Sequence, residues 1–495
     1  MMYSSDVPEP VSSKIDEAFE PVVRFLENIF FWDPVAAFGF DLDARIPLVV
    51  VWLILGGIFF TFRMRFVNIR LFGHAFALLT GRYDKKGDKG EVSHFQALST
   101  ALSGTVGLGN IAGVAIAVTV GGPGATFWMI IAGFLGMSMK FTECTLGVKY
   151  RFIDENGRVA GGPMYYLSRG LSRRGLGHLG AILAVFSAIM MVLASFGGSN
   201  MFQANQSFSQ FTLIFPGMEG YGVWFGLALA TLIGIVVYGG IKSIARVASR
   251  LVPFMALIYV TAALIIIAFN ITRVGEVFAI IINGAFSPAS LKGGIIGVLI
   301  TGFQRGAFSN EAGVGSAAVA HAAAKTDIPV KEGIVALVEP FIDTVVICTM
   351  TAMVIIFSGV TETTTGLEGA QLTSAAFETV FPWFPYLLVI SILCFAFSTM
   401  ISWSYYGLNG FRFLFEKPFK RMRIPARFIP LTYYAIFLGF TVLGASSSLN
   451  NVIDFSDMMV LTMAFPNIIG LVIMGPEVYA DLQVYLKARR EGRVG

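Results

Sequence analysis

The sequence is poor in charged residues. Only 13% of its 495 residues are Asp, Glu, Lys or Arg, whereas 55% are hydrophobic. A soluble domain carries about 25% charged residues, so this chain has roughly half the charge that a water-facing surface needs. The mean hydropathy is +0.73, and the 54 glycines are typical of helices that pack closely in lipid. The composition predicts an integral membrane protein and excludes a soluble fold.

Cysteine and histidine are scarce as well. The three cysteines (Cys144, Cys348 and Cys394) lie in apolar stretches without paired spacing, which predicts buried thiols rather than disulfides or a zinc site. The four histidines lie near predicted span ends or in loops and show no metal-ligand spacing. The N-terminus is acidic and lacks the basic start and apolar core of a secretory signal. We therefore expect insertion through the first membrane span itself.

Eleven apolar segments are candidates for membrane-spanning helices, which need about 20 mostly apolar residues. They cover residues 46–62, 94–119, 125–147, 179–205, 221–238, 251–269, 293–322, 333–357, 383–411, 428–444 and 452–474. If the N-terminus lies outside, 28 of the 35 Lys and Arg residues fall on the cytoplasmic side, as the positive-inside rule requires. The exceptions are Lys14, Arg24, Arg45, Arg273 and Lys292 in outer segments and Lys140 and Arg305 within spans. We therefore predict an outer N-terminus and a cytoplasmic C-terminus.

Two of these spans contain polar stretches dense in glycine. Residues 103–110 of the second span read SGTVGLGN, and the seventh span holds TGFQRG at 301–306 and SNEAGVGS at 309–316. Glycine costs about 1 kcal/mol relative to Ala in a helix, so the clustering favours unwound backbone. Broken backbone at membrane depth lines a cavity or is buried in protein, and a matching pair of interrupted helices indicates a transporter site. Close helix packing is the alternative role of these glycines.

The two interrupted spans also divide the chain. Each opens a set of five spans, and because five is odd the second set is inverted relative to the first. The predicted fold is therefore an all-α integral membrane protein of about eleven transmembrane helices, a 5+5 inverted repeat with one extra N-terminal helix. The predicted parts are an extracytoplasmic segment (1–45), the extra helix (46–62), the first repeat (92–270), the second repeat (291–476) and a cytoplasmic tail (477–495).

These motifs resemble a known family. The run TVGLGN at 105–110, followed by GGPGA at 121–125 and Glu143, resembles the first core helices of sodium-coupled amino-acid transporters with the leucine-transporter fold. GLGNIAG at 107–113, SNEAGVGS at 309–316 and GGPMYY at 161–166 resemble the alanine-or-glycine:cation symporter family more closely. The resemblance implies symport of alanine or glycine with sodium into the cell by alternating access. We therefore expect a protein of the plasma or inner membrane with sodium as coupling ion and without a cofactor. We expect it to function as a monomer, although the sequence leaves the oligomeric state open.

The substrate of such a transporter is a zwitterion, which needs donors for its carboxylate and acceptors for its ammonium group. Unwound helix ends offer both. We predict that Thr105 and Gly107 in the first break, and Thr301 and Gly302 in the second, contact the substrate. Simple helix bending is the alternative role of these residues.

Span four carries a polar stripe in which Phe196, Asn200, Gln203 and Ser207 follow at helical spacing, which predicts one shared face. Asn200 and Gln203 are therefore substrate candidates, and the resemblance implies that Gln203 contacts the substrate. An interhelical hydrogen bond is the alternative. Trp403 of span nine is predicted to cover the substrate's side chain, unless it is a packing aromatic.

Sodium prefers oxygen ligands. The resemblance implies that the hydroxyls of Ser398 and Thr399 bind one sodium ion together with the carbonyls of Ser103, Val106 and Phe395.

Ionisable residues inside the membrane are functional candidates by default. The gating or coupling candidates are Glu143, Arg305, Glu311, Glu339 and Asp343. Glu339 and Asp343 are four residues apart, so they are predicted to share a helix face, which is unfavourable unless a cation or proton intervenes. Arg305 and Glu311 are interpreted as gate or fold-locking residues.

Other function classes find less support. The sequence contains no GxxxxGK[ST] phosphate loop and no His-Glu-x-x-His motif, which argues against a primary pump and an intramembrane enzyme. Nothing indicates nucleic-acid binding. A channel remains an alternative, because glycine breaks also form filters, and so does a proton-coupled amino-acid transporter.

Overall fold

The computed structural model describes residues 11–39, 45–85, 87–155, 157–287, 294–364 and 366–493, and these are mostly helical. The predicted segment 1–45 is therefore described only in part, as are the start of the second repeat at 291–293 and the end of the tail at 494–495. The described strands form one small antiparallel hairpin of β1 (Phe152–Ile153) and β2 (Val159–Ala160).

The helices follow one another with short connections. In the first half they are α1 (Val11–Phe30), α2 (Pro34–Ala37), α3 (Leu48–Arg63), α4 (Val67–Arg70), α5 (Phe72–Leu79), α6 (His94–Thr105), α7 (Val114–Gly121), α8 (Ala125–Lys149), α9 (Pro163–Ser172), α10 (Gly177–Phe196), α11 (Phe202–Ile214), α12 (Gly222–Val237), α13 (Gly240–Phe269) and α14 (Val274–Phe286). In the second half they are α15 (Gly294–Asn310), α16 (Ala317–His321), α17 (Pro329–Ala336), α18 (Val338–Pro340), α19 (Thr349–Ser358), α20 (Val360–Thr363), α21 (Ala370–Glu378), α22 (Phe384–Arg421), α23 (Phe428–Ser446), α24 (Leu449–Thr462) and α25 (Ala464–Arg490). Wide π turns occupy Gly109–Gly113, Gly197–Met201 and Phe341–Cys348, and short 3-10 turns Pro216–Met218 and Ile271–Arg273.

Every predicted span coincides with helical structure. Among the described residues, seven helical segments are long and apolar enough to cross a membrane, and α6 and α7 together make one more. The helices α3 and α12 are apolar but shorter, at 16 residues each. The chain is thus a multi-pass, all-helical membrane protein, whereas the number eleven and the inverted repeat stay predictions.

The first predicted break is confirmed. Ser93 and Gln96 form a capping box that starts α6, and α6 ends at Thr105. The chain resumes as a π turn at Gly109, and the two halves of the span are bent by 52°. The side chain of Asn110 stabilises the bend, because its Oδ1 accepts a hydrogen bond of 2.9 Å from the Gly107 amide.

The second break lies later than part of the sequence pattern predicted. Helix α15 is continuous to Asn310, and the chain then turns through left-handed backbone at Glu311 (φ 54°), Gly313 (φ 91°) and Gly315 (φ 86°) before α16 begins. Left-handed conformations favour glycine. The break is therefore formed by residues 311–316, and the stretch 301–306 is helical.

Thr301 and Gly302 pack against a neighbouring helix instead. A Cβ atom at Gly302 would lie 2.5 Å from the carbonyl oxygen of Ala125, and one at Gly121 would lie 3.0 Å from the Thr301 side chain. Close packing of α15 against α7 and α8 thus explains this part of the motif, and the prediction of an unwound backbone at 301–302 was wrong.

A buried network of charged side chains connects five of the helical segments. Lys140 on α8 donates to Glu339 on α18 over 3.0 Å. His321 on α16 lies 2.6 Å from one oxygen of Glu332 on α17 and 3.6 Å from Glu339. The other Glu332 oxygen meets His94 at the start of α6. All five side chains are at most 3% exposed, so each charge depends on its partners for stability.

This network shows the surroundings of residues that the sequence analysis singled out. Lys140 supplies the cation predicted to be needed beside Glu339, and Asp343 accepts from the neutral Ser309 hydroxyl. The histidines His94 and His321 lie in the protein interior at the ends of their helices, where they contact Glu332.

Substitution of Lys140 by Met is expected to destabilise the protein strongly. Removing one partner of a buried ion pair costs about 3–5 kcal/mol, because the other charge is left uncompensated. The double variant Lys140→Met, Glu339→Gln should recover part of the loss. Lys417→Met, an exposed lysine on α22, is the control. Thermal unfolding in detergent measures the effect, and a Lys140→Met protein as stable as the control would contradict it.

Candidate functional site

The two breaks meet at a small buried cavity. Its walls come from the end of α6, the π turns of the second and fourth predicted spans, the end of α15, α22 and α24. The lining residues are Gly104, Thr105, Gly109, Gly198, Ser199, Gln203, Phe308, Glu311, Thr399 and Val460. The volume of the cavity is about 10 Å³, which is room for about one water molecule.

Gly107 lies close to side chains of two neighbouring helices, α22 and α11. A Cβ atom on it would lie 2.5 Å from Thr399 Oγ1 and 3.2 Å from Gln203 Oε1. Gln203 accepts a hydrogen bond of 3.1 Å from the Leu108 amide and donates to the Gly198 carbonyl over 3.2 Å. The Thr399 hydroxyl is buried without a hydrogen-bond partner among the described residues. Because Gly107 has no side chain, the polar groups of Thr399 and Gln203 can both lie close to the backbone at this position.

Trp403 connects the two breaks. Its side chain is fully buried, and its indole N–H donates to the Glu311 carboxylate over 3.0 Å. The second oxygen of Glu311 accepts from the Ser316 hydroxyl over 2.6 Å. A Cβ atom at Gly104 in the first break would lie 3.6 Å from the indole ring. Trp403 thus contacts two of the residues that line the cavity, Gly104 and Glu311.

The residues predicted to bind sodium lie where α6 meets α22. The Ser103 hydroxyl donates to the Ser398 carbonyl over 2.7 Å, and the Ser398 hydroxyl donates to the Phe395 carbonyl over 2.9 Å. Val106 ends α6 in an extended conformation (φ −73°, ψ 91°), next to the Gly107 that approaches Thr399. The structure therefore brings together two hydroxyls of α22 and the unwound end of α6.

A second cluster of polar side chains surrounds Asp343. The sequence pattern did not predict that Asn110 and Ser309 belong to it. The Asp343 carboxylate accepts from Asn110 Nδ2 at 2.7 Å, Ser309 Oγ at 2.8 Å and Thr344 Oγ1 at 2.7 Å. Asp343 is fully buried, and no cationic side chain pairs with it in the described part of the chain. Asn110 and Ser309 both occur in the glycine-rich motifs, so their positions beside the breaks were the available signal.

Asn200 does not share the face of Gln203. Its amide donates to the Phe437 carbonyl over 2.6 Å and accepts from the Thr441 hydroxyl over 2.8 Å, both on α23. The reason is the π turn at Gly197–Met201, whose wider i→i+5 spacing changes the rotation between the two residues. The prediction of one polar stripe was therefore wrong, and Asn200 does not line the cavity. Thr301 and Gly302 do not line it either.

Arg305 and Asp457 form an ion pair between α15 and α24. Asp457 also accepts from Gln304 Nε2 over 2.9 Å, and the Arg305 guanidinium stacks over Phe308 at 5.4 Å. Since Phe308 lines the cavity, the ion pair lies directly behind one of its walls.

Glu143 has a different surrounding. Its carboxylate accepts from the Gly313 amide over 2.6 Å and from Asn467 Nδ2 over 3.2 Å. Glu143 therefore accepts a hydrogen bond from a backbone amide of the second break that has no partner within a helix.

Comparison with known proteins agrees with this architecture. The chain matches the model of the sodium:alanine symporter family over residues 41–494. It is 40% identical over 447 residues to the sodium/alanine symporter AgcS of Methanococcus maripaludis, which covers 90% of this chain and 95% of that protein. It is 34% identical to the probable sodium/glutamine symporter GlnT of Bacillus subtilis, with coverage of 90% and 89%. The crystal structure of MhsT in complex with L-phenylalanine shares the fold, at 13% identity and a TM-score of 0.51 over 80% of this chain and all of that one. The chain therefore belongs to the sodium:alanine symporter family.

Proposed function

We propose that the protein carries alanine, glycine or similar small neutral amino acids into the cell together with sodium, by alternating access. The observation that carries this proposal is the meeting of two broken helices at a buried cavity lined by backbone and by Gln203, Thr399 and Glu311. A single enclosed site of this kind suits a carrier. A channel needs a continuous path, whereas the cavity between the two breaks has a volume of only about 10 Å³.

The substrate site we propose comprises Thr105, Gly107, Gln203 and Trp403. Gln203 offers both an acceptor and a donor for a zwitterion, and Gly107 lets the substrate approach the main chain. Because any amino acid is larger than the cavity, its walls have to separate when substrate enters. Those walls belong to different helices, so their relative movement is the step that alternating access requires.

The sodium site we propose uses the hydroxyls of Ser398 and Thr399 with the carbonyls of Ser103, Val106 and Phe395. The Thr399 hydroxyl supports this assignment, since a buried oxygen without a partner is costly in a membrane interior. These ligands carry no full charge.

Asp343 is the coupling residue we propose. A sodium ion in a low-dielectric interior is stabilised by a nearby negative charge, and the Asp343 carboxylate has only neutral partners among the described residues. Its oxygens and those of Ser309 and Thr344 form a second set of hard ligands beside the first break.

The Arg305–Asp457 pair is the outer gate we propose. Arg305 lies six residues before Glu311 on the chain, or about 9 Å along a helix axis, towards the predicted outer end of α15. Opening to the outside then separates α15 from α24.

The other buried carboxylates have different roles in this proposal. Glu143 and Glu339 are assigned structural roles, because both are hydrogen-bonded to other groups of the protein. Glu311 is assigned to the inner contact with Trp403.

Transport in proteoliposomes tests the proposed function. An inward sodium gradient is expected to accumulate labelled alanine above its outside concentration, whereas a potassium gradient should not. Excess glycine should compete more strongly than glutamine. Uptake that only equilibrates alanine would indicate a channel, and accumulation driven by external acid without sodium would indicate proton coupling.

Gly107→Ala is expected to lower alanine affinity by about tenfold or more, equivalent to about 1.4 kcal/mol or more. The added methyl group would collide with Thr399 Oγ1 at 2.5 Å. Gly113→Ala is the matched control in the same broken span, since the nearest atom to its Cβ lies 4.0 Å away. Equilibrium binding of labelled alanine measures the difference. Equal affinities of the two variants would remove Gly107 from the site.

Ser398→Ala and Thr399→Ala are expected to raise the sodium concentration for half-maximal transport by about tenfold, which corresponds to about 1.4 kcal/mol. Thr399→Ala should do so without loss of stability, because its hydroxyl has no partner within the described protein. Ser404→Ala is the control on the same helix, where the hydroxyl bonds only to the Ile401 carbonyl at 2.7 Å. Wild-type sodium dependence in both test variants would show that the ion site is elsewhere.

A further inference from the structure

Two adjoining cavities open at the predicted cytoplasmic end of the helices, outside the proposed substrate site. Their volumes are about 440 and 410 Å³, and they share Arg158, Val159, Arg412 and Pro430 as walls. We call this pair of cavities the basic cleft. It lies between the β1–β2 hairpin, the connection from α12 to α13, the late part of α22 and the start of α23.

Positive side chains from separate elements converge on the basic cleft. Arg158 comes from the hairpin, Lys242 from the first turn of α13, Arg412 from α22, and Arg427 from the residue before α23. In the described ranges of the chain, none of these four takes part in an ion pair. Their N–H groups are therefore available for an anionic ligand, and arginine suits a phosphate group because its guanidinium presents paired donors.

Three acidic side chains also line the basic cleft, and two of them are engaged with the hairpin backbone. Glu91 accepts from the Val159 amide over 2.6 Å, and Asp154 accepts from the Arg158 amide over 2.8 Å. Glu416 is the third and lines only the smaller cavity. In the larger cavity the cations Arg158, Lys242 and Arg412 face Glu91 alone, so the larger cavity favours an anion.

The larger cavity is continuous with the surface that faces lipid. Tyr238 at its edge is 94% exposed, and Ile235 and Leu232 lead away from it along α12 at 70% and 56% exposure. On the other side, Leu431 of α23 is 61% exposed. Tyrosine is enriched at the membrane–water interface, and basic pockets between helices on the cytoplasmic side suit anionic lipid headgroups.

We infer that the basic cleft binds the phosphodiester headgroup of an anionic phospholipid, whose acyl chains lie along the exposed apolar residues of α12 and α23. The apolar flank favours a lipid over a free phosphate, since a soluble anion would gain nothing from it. Arg412 also lies on the helix that carries Thr399 and Trp403, so a bound lipid stabilises the inner end of the element that forms the transport site.

Lipid binding to the full-length protein in detergent tests this inference. Native mass spectrometry should show retention of dioleoylphosphatidylglycerol but not of dioleoylphosphatidylcholine, and only the former should raise the unfolding temperature. The double variant Lys242→Gln, Arg412→Gln is expected to weaken phosphatidylglycerol binding about tenfold, or about 1.4 kcal/mol. Lys242→Gln alone, at an exposed position, should give a smaller loss if the double variant does not fold.

The matched control removes two charges from the same helices outside the basic cleft. Arg250 on α13 and Lys417 on α22 are exposed, and the variant Arg250→Gln, Lys417→Gln should bind phosphatidylglycerol like the wild type. Equal losses in both double variants would indicate a general surface charge and overturn the inference. Stabilisation by inorganic phosphate equal to that by phosphatidylglycerol would indicate a soluble anion, and no preference for phosphatidylglycerol would show that the site does not exist.

Discussion

Backbone amides and carbonyls that leave a helix inside a membrane have to find partners within the protein, because lipid offers none. Both breaks meet this requirement with side chains. At the first, Gln203 accepts from the Leu108 amide, and Thr373 donates to the Ile111 carbonyl over 3.0 Å. At the second, Asn467 donates to the Gly313 carbonyl over 2.7 Å, and Glu143 accepts from the amide of the same residue.

The same requirement places the polar side chains that a transporter needs. Gln203 lies beside the cavity because it satisfies a free amide, and in that position it can exchange a protein contact for a substrate contact. Glu311 lies in the turn of the second break and contacts Trp403. The proposed site is thus built from groups that also hold the broken helices, so in this proposal substrate entry is coupled to the arrangement of those helices.

Buried charge is distributed unevenly over the described structure. Lys140, Glu339, His321, Glu332 and His94 compensate one another, so this network stabilises one group of helices as a unit. Asp343 has only neutral donors, and its charge is free to be compensated by an ion. The contrast between a closed network and an isolated carboxylate is the electrostatic basis for assigning stability to the first and ion coupling to the second.

Hydropathy, charge and local motifs were sufficient to predict a multi-pass helical protein, the helical position of every span, the first break and the family. These properties depend on short stretches of sequence and on the bilayer, which imposes segment length and the side on which Lys and Arg reside. The sequence also predicted Gln203, Thr399 and Trp403 as neighbours of the first break, on the strength of the resemblance.

Tertiary structure alone decided the rest. The glycines near 302 serve packing against α8, whereas those at 313 and 315 form the break, and only the neighbouring helix distinguishes the two uses. The π turn at Gly197–Met201 rotated Asn200 away from Gln203, because one wide turn changes which side chains share a face. Asn110 and Ser309 donate to Asp343, and Glu332 contacts His94, across long stretches of the chain, so local spacing did not show that these residues pair.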